Sequence, residues 1–233
     1  MRNSYQPLFR RPPGNAQAPV DPRRLRLRMV QEQIEARGLT DAAILEAMAA
    51  VPRHLFVPDA FKSHAYDDSP VPIGFGQTIS QPYVVAIMTR NLMIQKGMRV
   101  LEIGAGSGYQ AAVLATLGCS VIAVERIGEL FMRTRTLLQK LGYRSIHLHK
   151  GDGTLGMPMS APFERILVSA GGPQIPPPLL AQLGEKGIML IPVGERPRTQ
   201  RLIRIKKING SLFREDMGPA AFVDLVGDHG WLK

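Results

Sequence analysis

The 233-residue sequence contains a single cysteine, Cys119. One cysteine excludes an internal disulfide and any zinc site built from several thiolates, and such sparse use of cysteine is typical of proteins from a reducing compartment. The sequence also lacks an apolar run of the roughly 18 to 20 residues that a transmembrane helix needs, and it has no apolar segment of the signal-peptide type. We therefore expect a cytoplasmic protein without a membrane partner.

Acidic residues are scarce at the N-terminus, where residues 1 to 28 contain seven arginines and one acid, Asp21. That segment supplies +6 of the formal net charge of +10. Its prolines and its lack of a packed apolar pattern predict a flexible arm over residues 1–22, followed by a single domain over residues 23–233. A basic arm leaves a contact with RNA or acidic proteins open, but a solubilising extension is the simpler interpretation.

The order of apolar patterns along the chain predicts the fold class. Two helices are expected from residue 25 onward, with Gly38 as a stop and Asp41 as an N-cap, and the Pro/Gly-rich residues 65–82 are expected to form a long ordered loop. Strands are predicted at 99–103, 120–125, 146–149, 165–170 and 187–193, and helices at 109–117 and 128–141. Such alternation is typical of a doubly wound, Rossmann-like α/β sheet that is mostly parallel.

An antiparallel hairpin is predicted near the C-terminus, because Asn209 and Gly210 lie between two strand-like runs and both tolerate the positive φ that a two-residue turn requires. Four cations on this hairpin are expected to form a solvated edge that blocks strand pairing. They are Arg201, Arg204, Lys206 and Lys207.

A glycine-rich loop follows the strand at 99–103, with glycines at positions 104, 106 and 108 before a helix. Glycine permits the tight turn and lets a ligand approach the N–H groups at the helix start. The dinucleotide pattern G-x-G-x-x-G fails when counted from Gly104 but fits when counted from Gly106 and ended at Ala111, so the loop alone leaves NAD open.

Carboxylates at successive strand ends favour another cofactor. Glu102 precedes the glycine loop, Glu125 ends the next strand where it can accept ribose hydroxyls, and Asp152 with Gly153 follows the third strand, where it is placed to hold an adenine amino group. Each acid alone is also explained as a helix-terminal or turn residue. Together with the glycine loop they resemble the S-adenosylmethionine-binding methyltransferases, and they favour that cofactor over NAD.

Longer motifs resemble one family, protein-L-isoaspartate O-methyltransferase. The similarity extends in order from residue 29 to about residue 226, and its PIGFGQTIS stretch is far more specific than the glycine loop. The motifs are VPRHLFVP (51–58), AYDDSPVPIGFGQTISQP (65–82), VLEIGAGSGYQAAVLA (100–115), GDG (151–153), GIMLIPVG (187–194) and FVDLV (222–226).

The resemblance implies an enzyme that methylates the free carboxyl of L-isoaspartyl residues in damaged proteins and so initiates their repair. It implies Ser80 as the active-site serine, with Gln77, Thr78 and Ile79 around donor and acceptor. Ser80 is also an N-cap candidate, because Pro82 and an apolar run follow it. The predicted cofactor-binding residues are Gln77, Thr78, Ile79, Glu102, Gly104, Gly106, Gly108, Glu125, Asp152 and Gly153. No metal is expected, since an ionised acceptor and a sulfonium donor need none.

Three features depart from the family pattern: Phe75 where members often have histidine, Asp224 where the terminal F-V-P-L has proline, and the basic arm. They leave two alternatives open, a methyltransferase of RNA or a small molecule and a non-catalytic cofactor-binding homologue. We expect a monomer whose partners are proteins and peptides with L-isoaspartyl residues, and no nucleic-acid partner.

The remaining candidate residues are interpreted as structural. His147 and His149 alternate on one strand without a third metal ligand, so packing or surface positions are expected. Cys119 is expected to be a small core residue. His54 and Asp67 lie in the family motifs, where we expect them to order the loop.

Deletion of residues 1 to 20 should leave methylation of an isoaspartyl peptide within about twofold of the full chain, because the arm is outside the matched motifs and has a disorder-prone composition. Initial rates of both proteins at low ionic strength test this expectation. A large loss of activity in a truncated protein that still folds would instead show that the arm recruits substrate.

Overall fold

The N-terminal part of the described chain is helical. The structure is a computed structural model that describes residues 21–232, so nearly all of the predicted arm lies outside it. Helix α1 (Pro22–Met29) continues through a π-helical turn and a short 3-10 turn to Gly38, whose φ is 83°. Helix α2 (Ala42–Ala50) begins after Asp41, whose side chain accepts the Ile44 N–H at 3.1 Å. The predicted stop and N-cap are confirmed.

Residues 65–82 contain a small hairpin, so the prediction of a loop without strands is wrong in part. Strand β1 (Val71–Gly74) pairs antiparallel with β2 (Gln77–Ile79), and helix α3 (Pro82–Asn91) follows. The hairpin is too short to show a period in the sequence. A contact from a distant part of the chain supports it, because the Arg133 guanidinium donates to the Ile73 carbonyl.

The main sheet has seven strands in the order β5-β4-β3-β6-β7-β8-β9. The first five in this order are parallel neighbours, and β7-β8 and β8-β9 pair antiparallel. The strands are β3 (Arg99–Ile103), β4 (Ser120–Glu125), β5 (Ile146–Lys150), β6 (Phe163–Val168), β7 (Leu183–Arg196), β8 (Thr199–Ile208) and β9 (Ser211–Ala220). The predicted mostly parallel sheet is confirmed.

Helices cover both faces of this sheet, as a doubly wound fold requires. They are α4 (Tyr109–Thr116), α5 (Gly128–Lys140) and α6 (Pro177–Gln182). In β3, Val100 belongs to the apolar cluster that includes residues of α3 and α4, whereas Leu101 and Ile103 belong to the cluster that includes α6. Since adjacent side chains of a strand point to opposite faces, β3 is buried on both sides.

The C-terminal hairpin forms as predicted, with φ of 50° at Asn209 and 75° at Gly210. The expected charged edge is wrong, however, because β8 lies between β7 and β9 and the edge strand is β9. Three of the four cations on β8 form ion pairs across to β9: Arg201 with Asp216, and Arg204 and Lys206 with Glu215. Lys207 donates to the Leu183 carbonyl at 3.0 Å. These charges therefore stabilise the pairing of β8 with β9 and do not protect an exposed edge of the sheet.

No helix in residues 21–232 is long and apolar enough to cross a membrane.

Candidate active site

The glycine loop lies between the end of β3 and the start of α4. Gly104, Gly106 and Gly108 all have positive φ, at 83°, 54° and 84°. A Cβ at Gly108 would lie 2.8 Å from the Thr134 γ-methyl carbon, and the Thr134 hydroxyl donates to the Gly106 carbonyl at 2.6 Å. The loop is therefore packed against α5, and a side chain at Gly108 would displace it.

Glu125, at the end of β4, braces the same loop. One of its carboxylate oxygens accepts the Gly106 N–H at 2.9 Å, and the other accepts the Ile127 N–H at 2.8 Å. The side chain is buried. Because each carboxylate oxygen has two lone pairs, Glu125 retains acceptor capacity toward a ligand hydroxyl.

Glu102, on β3, has no exposed surface, and neither of its carboxylate oxygens has a hydrogen-bond partner within the described residues. Burial, and secondly the charge of Glu125, raise the pKa of Glu102 well above its ordinary value. A buried acceptor without a partner is costly, and native proteins place such groups mainly where a ligand or water completes them. Glu102 lines a cavity, so a ligand with a cationic or N–H donor group would fit there.

That cavity brings together nine of the predicted site residues. The glycine loop and the ends of β3 and β4 form one side, the β1-β2 hairpin forms another, and the C-terminal segment 223–226 completes it. The predicted residues that line it are Gln77, Thr78, Ile79, Ser80, Glu102, Gly104, Gly106, Glu125 and Gly153. Gly108 and Asp152 do not.

Asp152 holds the C-terminal segment in place. Its Oδ1 accepts the Thr154 N–H at 2.8 Å and the Thr154 hydroxyl at 2.7 Å, and its Oδ2 accepts the Asp228 N–H at 2.8 Å. The role predicted for Asp152 toward an adenine amino group stays a prediction. Gly153 does line the cavity, and a Cβ there would come within 2.4 Å of the Ile103 Cγ2.

Ser80 lies between β2 and α3. The N-cap of α3 is Gln81 and not Ser80, so the capping prediction is wrong. The physical reason is that Pro82 occupies the first helical position and Gln81 has the extended backbone of the cap. The Ser80 side chain is left without a capping bond and lines the cavity.

Arg53 fixes the backbone of Ser80 and is a residue that the sequence reasoning missed. It is fully buried, donates from Nε to the Ala65 carbonyl and from Nη2 to the Ser80 carbonyl, both at 2.7 Å, and lies 4.9 Å from the Tyr109 ring centroid. Burial lowers the pKa of Arg53 to about 10, so it remains a cation at neutral pH. A central arginine in VPRHLFVP, inside an otherwise apolar motif, was the available signal.

The two atypical residues also line this cavity. Phe75 is 54% exposed at the tip of the β1-β2 hairpin, with a φ of 55°, and Asp224 lies in the C-terminal segment. The residues interpreted as structural lie outside the cavity: His147 and His149 are exposed on β5, and Cys119 is 1% exposed, where burial raises the pKa of its thiol to about 11.

His54 and Asp67 take part in hydrogen bonds that order residues 54–67. His54 Nδ1 lies 2.7 Å from the Tyr66 hydroxyl, and Asp67 lies 2.8 Å from His64. Within residues 21–232, no group of three or more His, Cys, Asp or Glu side chains is arranged to hold a metal ion.

Comparison with known proteins places this cavity in a family context. Residues 25–230 match the family model described as Protein-L-isoaspartate(D-aspartate) O-methyltransferase. The chain is 52% identical to Protein-L-isoaspartate O-methyltransferase 1 of Syntrophobacter fumaroxidans, over 88% of this chain and 95% of the relative. It is 49% identical to the Protein-L-isoaspartate O-methyltransferase of Methanoculleus marisnigri, over 91% of this chain and 96% of the relative.

Solved structures agree with the fold. A protein-L-isoaspartate O-methyltransferase superposes with a TM-score of 0.81 at 28% identity, covering 89% of this chain and 67% of that one. A Plasmodium falciparum chain described as a protein-L-isoaspartate O-methyltransferase, in complex with S-adenosyl-L-homocysteine, superposes with a TM-score of 0.76 at 24% identity, covering 86% and 98%.

Replacing Glu102 by glutamine should make the ligand-free protein more stable at neutral pH. Because the pKa of Glu102 is raised in the folded state, the folded protein keeps a proton that the unfolded chain releases above about pH 4. The free energy of unfolding of the wild type then falls by about 1.4 kcal/mol per pH unit between the unfolded and folded pKa values. Denaturant unfolding from pH 4 to 8 should show the variant gaining on the wild type as the pH rises.

Glu125→Gln is the matched control with the opposite expected sign. Its amide nitrogen cannot accept one of the two backbone N–H groups that the carboxylate satisfies, so we expect a loss of about 1–3 kcal/mol at pH 7. If the stabilities of Glu102→Gln and wild type run parallel across the pH range, the buried Glu102 carboxyl does not have a raised pKa.

Proposed function

The chain belongs to the protein-L-isoaspartate(D-aspartate) O-methyltransferase family, and from this membership we infer that it transfers a methyl group from S-adenosylmethionine to the free carboxyl of L-isoaspartyl residues in damaged proteins. The observation that supports this function most directly is the shared cavity. The family's substrate-loop residues, through Ser80, and the glycine loop line the same space. Donor and acceptor therefore have adjoining sites.

The residues of the cavity fit the donor. Glu102 offers two buried oxygens that have no partner in the described part of the chain, and Glu125 retains acceptor capacity. The glycines at 104 and 106 keep the loop free of side chains where it lines the cavity. We propose that these residues hold S-adenosylmethionine, together with Gly108, Asp152, Gly153 and the backbone of Gln77, Thr78 and Ile79. When bound, it supplies a methyl group that an acceptor oxygen takes while the bonding electron pair stays on sulfur.

The chain's own contribution to the reaction is orientation and exclusion of water. The acceptor carboxylate is ionised at neutral pH, so the reaction requires no general base. We propose that the Ser80 hydroxyl donates a hydrogen bond to that carboxylate and fixes its direction of approach, an effect that can supply several kcal/mol. Arg53 holds the Ser80 backbone in turn.

Methyl esterification is enough to begin repair. The neighbouring backbone amide nitrogen attacks the ester carbonyl carbon more readily than that of a carboxylate, and a succinimide forms as the C–O bond to the methoxy group breaks and methanol leaves. Hydrolysis of that ring returns part of the chain to a normal aspartyl linkage. No second active site is needed for this sequence of steps.

The composition of the chain bears on where the activity takes place. The single cysteine supports a cytoplasmic location, and we propose a monomer with one catalytic domain over residues 23–233 and without a nucleic-acid partner. The basic composition of residues 1–22 does not require such a partner, since a solubilising arm explains it.

Methyl transfer to an isoaspartyl peptide beside its normal aspartyl twin tests the function. With labelled S-adenosylmethionine and the full chain, we expect transfer to the isoaspartyl peptide alone. Transfer to RNA or a small molecule with none to the peptide would replace this function. Cofactor binding without any transfer would identify a non-catalytic homologue.

Ser80→Ala should slow single-turnover methyl transfer by about ten- to a thousandfold, because an oriented hydrogen bond to a charged group is lost and the acceptor is misplaced. Affinity for the donor, measured by calorimetry, should stay within about twofold. Ser120→Ala is the control, since Ser120 is exposed at the start of β4, at the opposite end of the sheet from the cavity. An unchanged rate in a folded Ser80→Ala protein would remove Ser80 from the reaction.

A further inference from the structure

Three carboxylates line the same cavity: Glu102, Glu125 and Asp224. Glu102 is fully buried, and neither of its oxygens has a partner within residues 21–232. Oδ1 of Asp224 is also buried without a partner there. Arg126 is the lining residue of opposite charge, and it is exposed to solvent. Even with Glu102 in its neutral form, Glu125 and Asp224 leave the cavity lining with two acids against the exposed Arg126, which favours a ligand with positive charge.

Hydrogen bonds to Gly171 fix the backbone on both sides of Asp224, which lines the cavity. The Gly171 N–H donates to the Val223 carbonyl at 2.7 Å, and the Leu225 N–H donates to the Gly171 carbonyl at 2.8 Å. The Trp231 indole N–H donates to that same carbonyl at 2.9 Å. Asp224 thus lies between two anchored neighbours.

Asp224 comes from a different part of the chain than Glu102 and Glu125. Those two acids lie on β3 and β4 beside the glycine loop, whereas Asp224 lies in the C-terminal segment 223–226, which lines the same cavity. Its charge is not absorbed by any ion pair within the described residues. No partner among the described residues therefore accounts for this acid at the cavity.

We propose that Asp224 is a specificity-determining residue that makes the cavity bind the methyl donor in preference to the demethylated product. This inference rests on the proposed function, because it takes the ligand to be S-adenosylmethionine. The donor and the product differ by one methyl group and by one positive charge, since the sulfonium becomes a neutral thioether. A carboxylate in a partly buried site distinguishes those two charge states. Glu125 already accepts two backbone N–H groups, whereas Oδ1 of Asp224 has no partner within residues 21–232.

Calorimetric titration of the full chain with S-adenosylmethionine and, separately, with S-adenosylhomocysteine tests the proposal. Asp224→Asn should weaken donor binding about tenfold and leave product binding within about twofold, the scale expected when one hydrogen-bonded or ion-paired charge is neutralised. The ratio of the two dissociation constants therefore shifts toward the product. Inhibition by added product should become stronger in the same variant.

Asp59→Asn is the matched control, because the Asp59 side chain is 92% exposed and does not line the cavity. It should leave both dissociation constants and their ratio unchanged. If Asp224→Asn does not fold, Asp224→Ala is subject to the same expectation.

If the Asp224 variants weaken binding of both ligands equally, or change neither dissociation constant, the proposal is overturned and the proposed function still stands. A wild type that binds the donor but does not methylate the isoaspartyl peptide would contradict the proposed function, and the affinity ratio would still decide the role of Asp224. A wild type that binds neither ligand would contradict both.

Discussion

The position of the cavity depends on one topological constraint, the reversal of strand order at β3. β4 pairs with one side of β3 and β6 with the other, and the chain leaves β3 toward α4 on one face of the sheet. In an open parallel sheet a crevice forms at the carboxyl ends of the strands where the order reverses. The glycine loop follows β3, Glu125 ends β4 and Ser169 follows β6, so all three reach that crevice.

Burial of the Glu102 carboxyl lowers the free energy of unfolding of the ligand-free protein. The Glu102 side chain is fully buried, and the neighbouring Glu125 already has both carboxylate oxygens engaged with backbone N–H groups. The two carboxylates therefore have different functions although they lie in one cavity. Glu125 stabilises the loop before any ligand binds, whereas Glu102 lacks a partner within the described residues, and a donor group on a ligand supplies one.

The glycine loop and Glu125 could be predicted from the sequence because neighbouring residues determine their conformation and position. The glycines at 104, 106 and 108 follow a short apolar strand, and their positive φ values follow from the turn that such a junction needs. Glu125 could be placed because strand ends in a parallel sheet lie at one edge. These inferences use neighbours in sequence and the known direction of parallel strands.

The features that sequence reasoning missed depend on distant contacts. The β1-β2 hairpin has strands of four and three residues, and Arg133, sixty residues further along the chain, holds it through the Ile73 carbonyl. Which strand of the β8-β9 hairpin forms the edge depends on which of them pairs with β7, a contact between separate elements of the chain. Asp152 has an environment set by Asp228, so its position in GDG did not reveal its contact with the C-terminal segment.

Arg53 connects the acceptor and donor sides of the cavity. Its guanidinium donates to the carbonyls of Ala65 and Ser80 in the substrate segment and packs on the ring of Tyr109, the first residue of the helix that follows the glycine loop. None of the described carboxylates lies within ion-pair distance of it, so backbone carbonyls and an aromatic face stabilise this buried charge. Since a buried cation loses these partners together if it moves, the Ser80 backbone and the start of α4 are held at a fixed separation. In-line methyl transfer requires that same fixed separation between acceptor and donor.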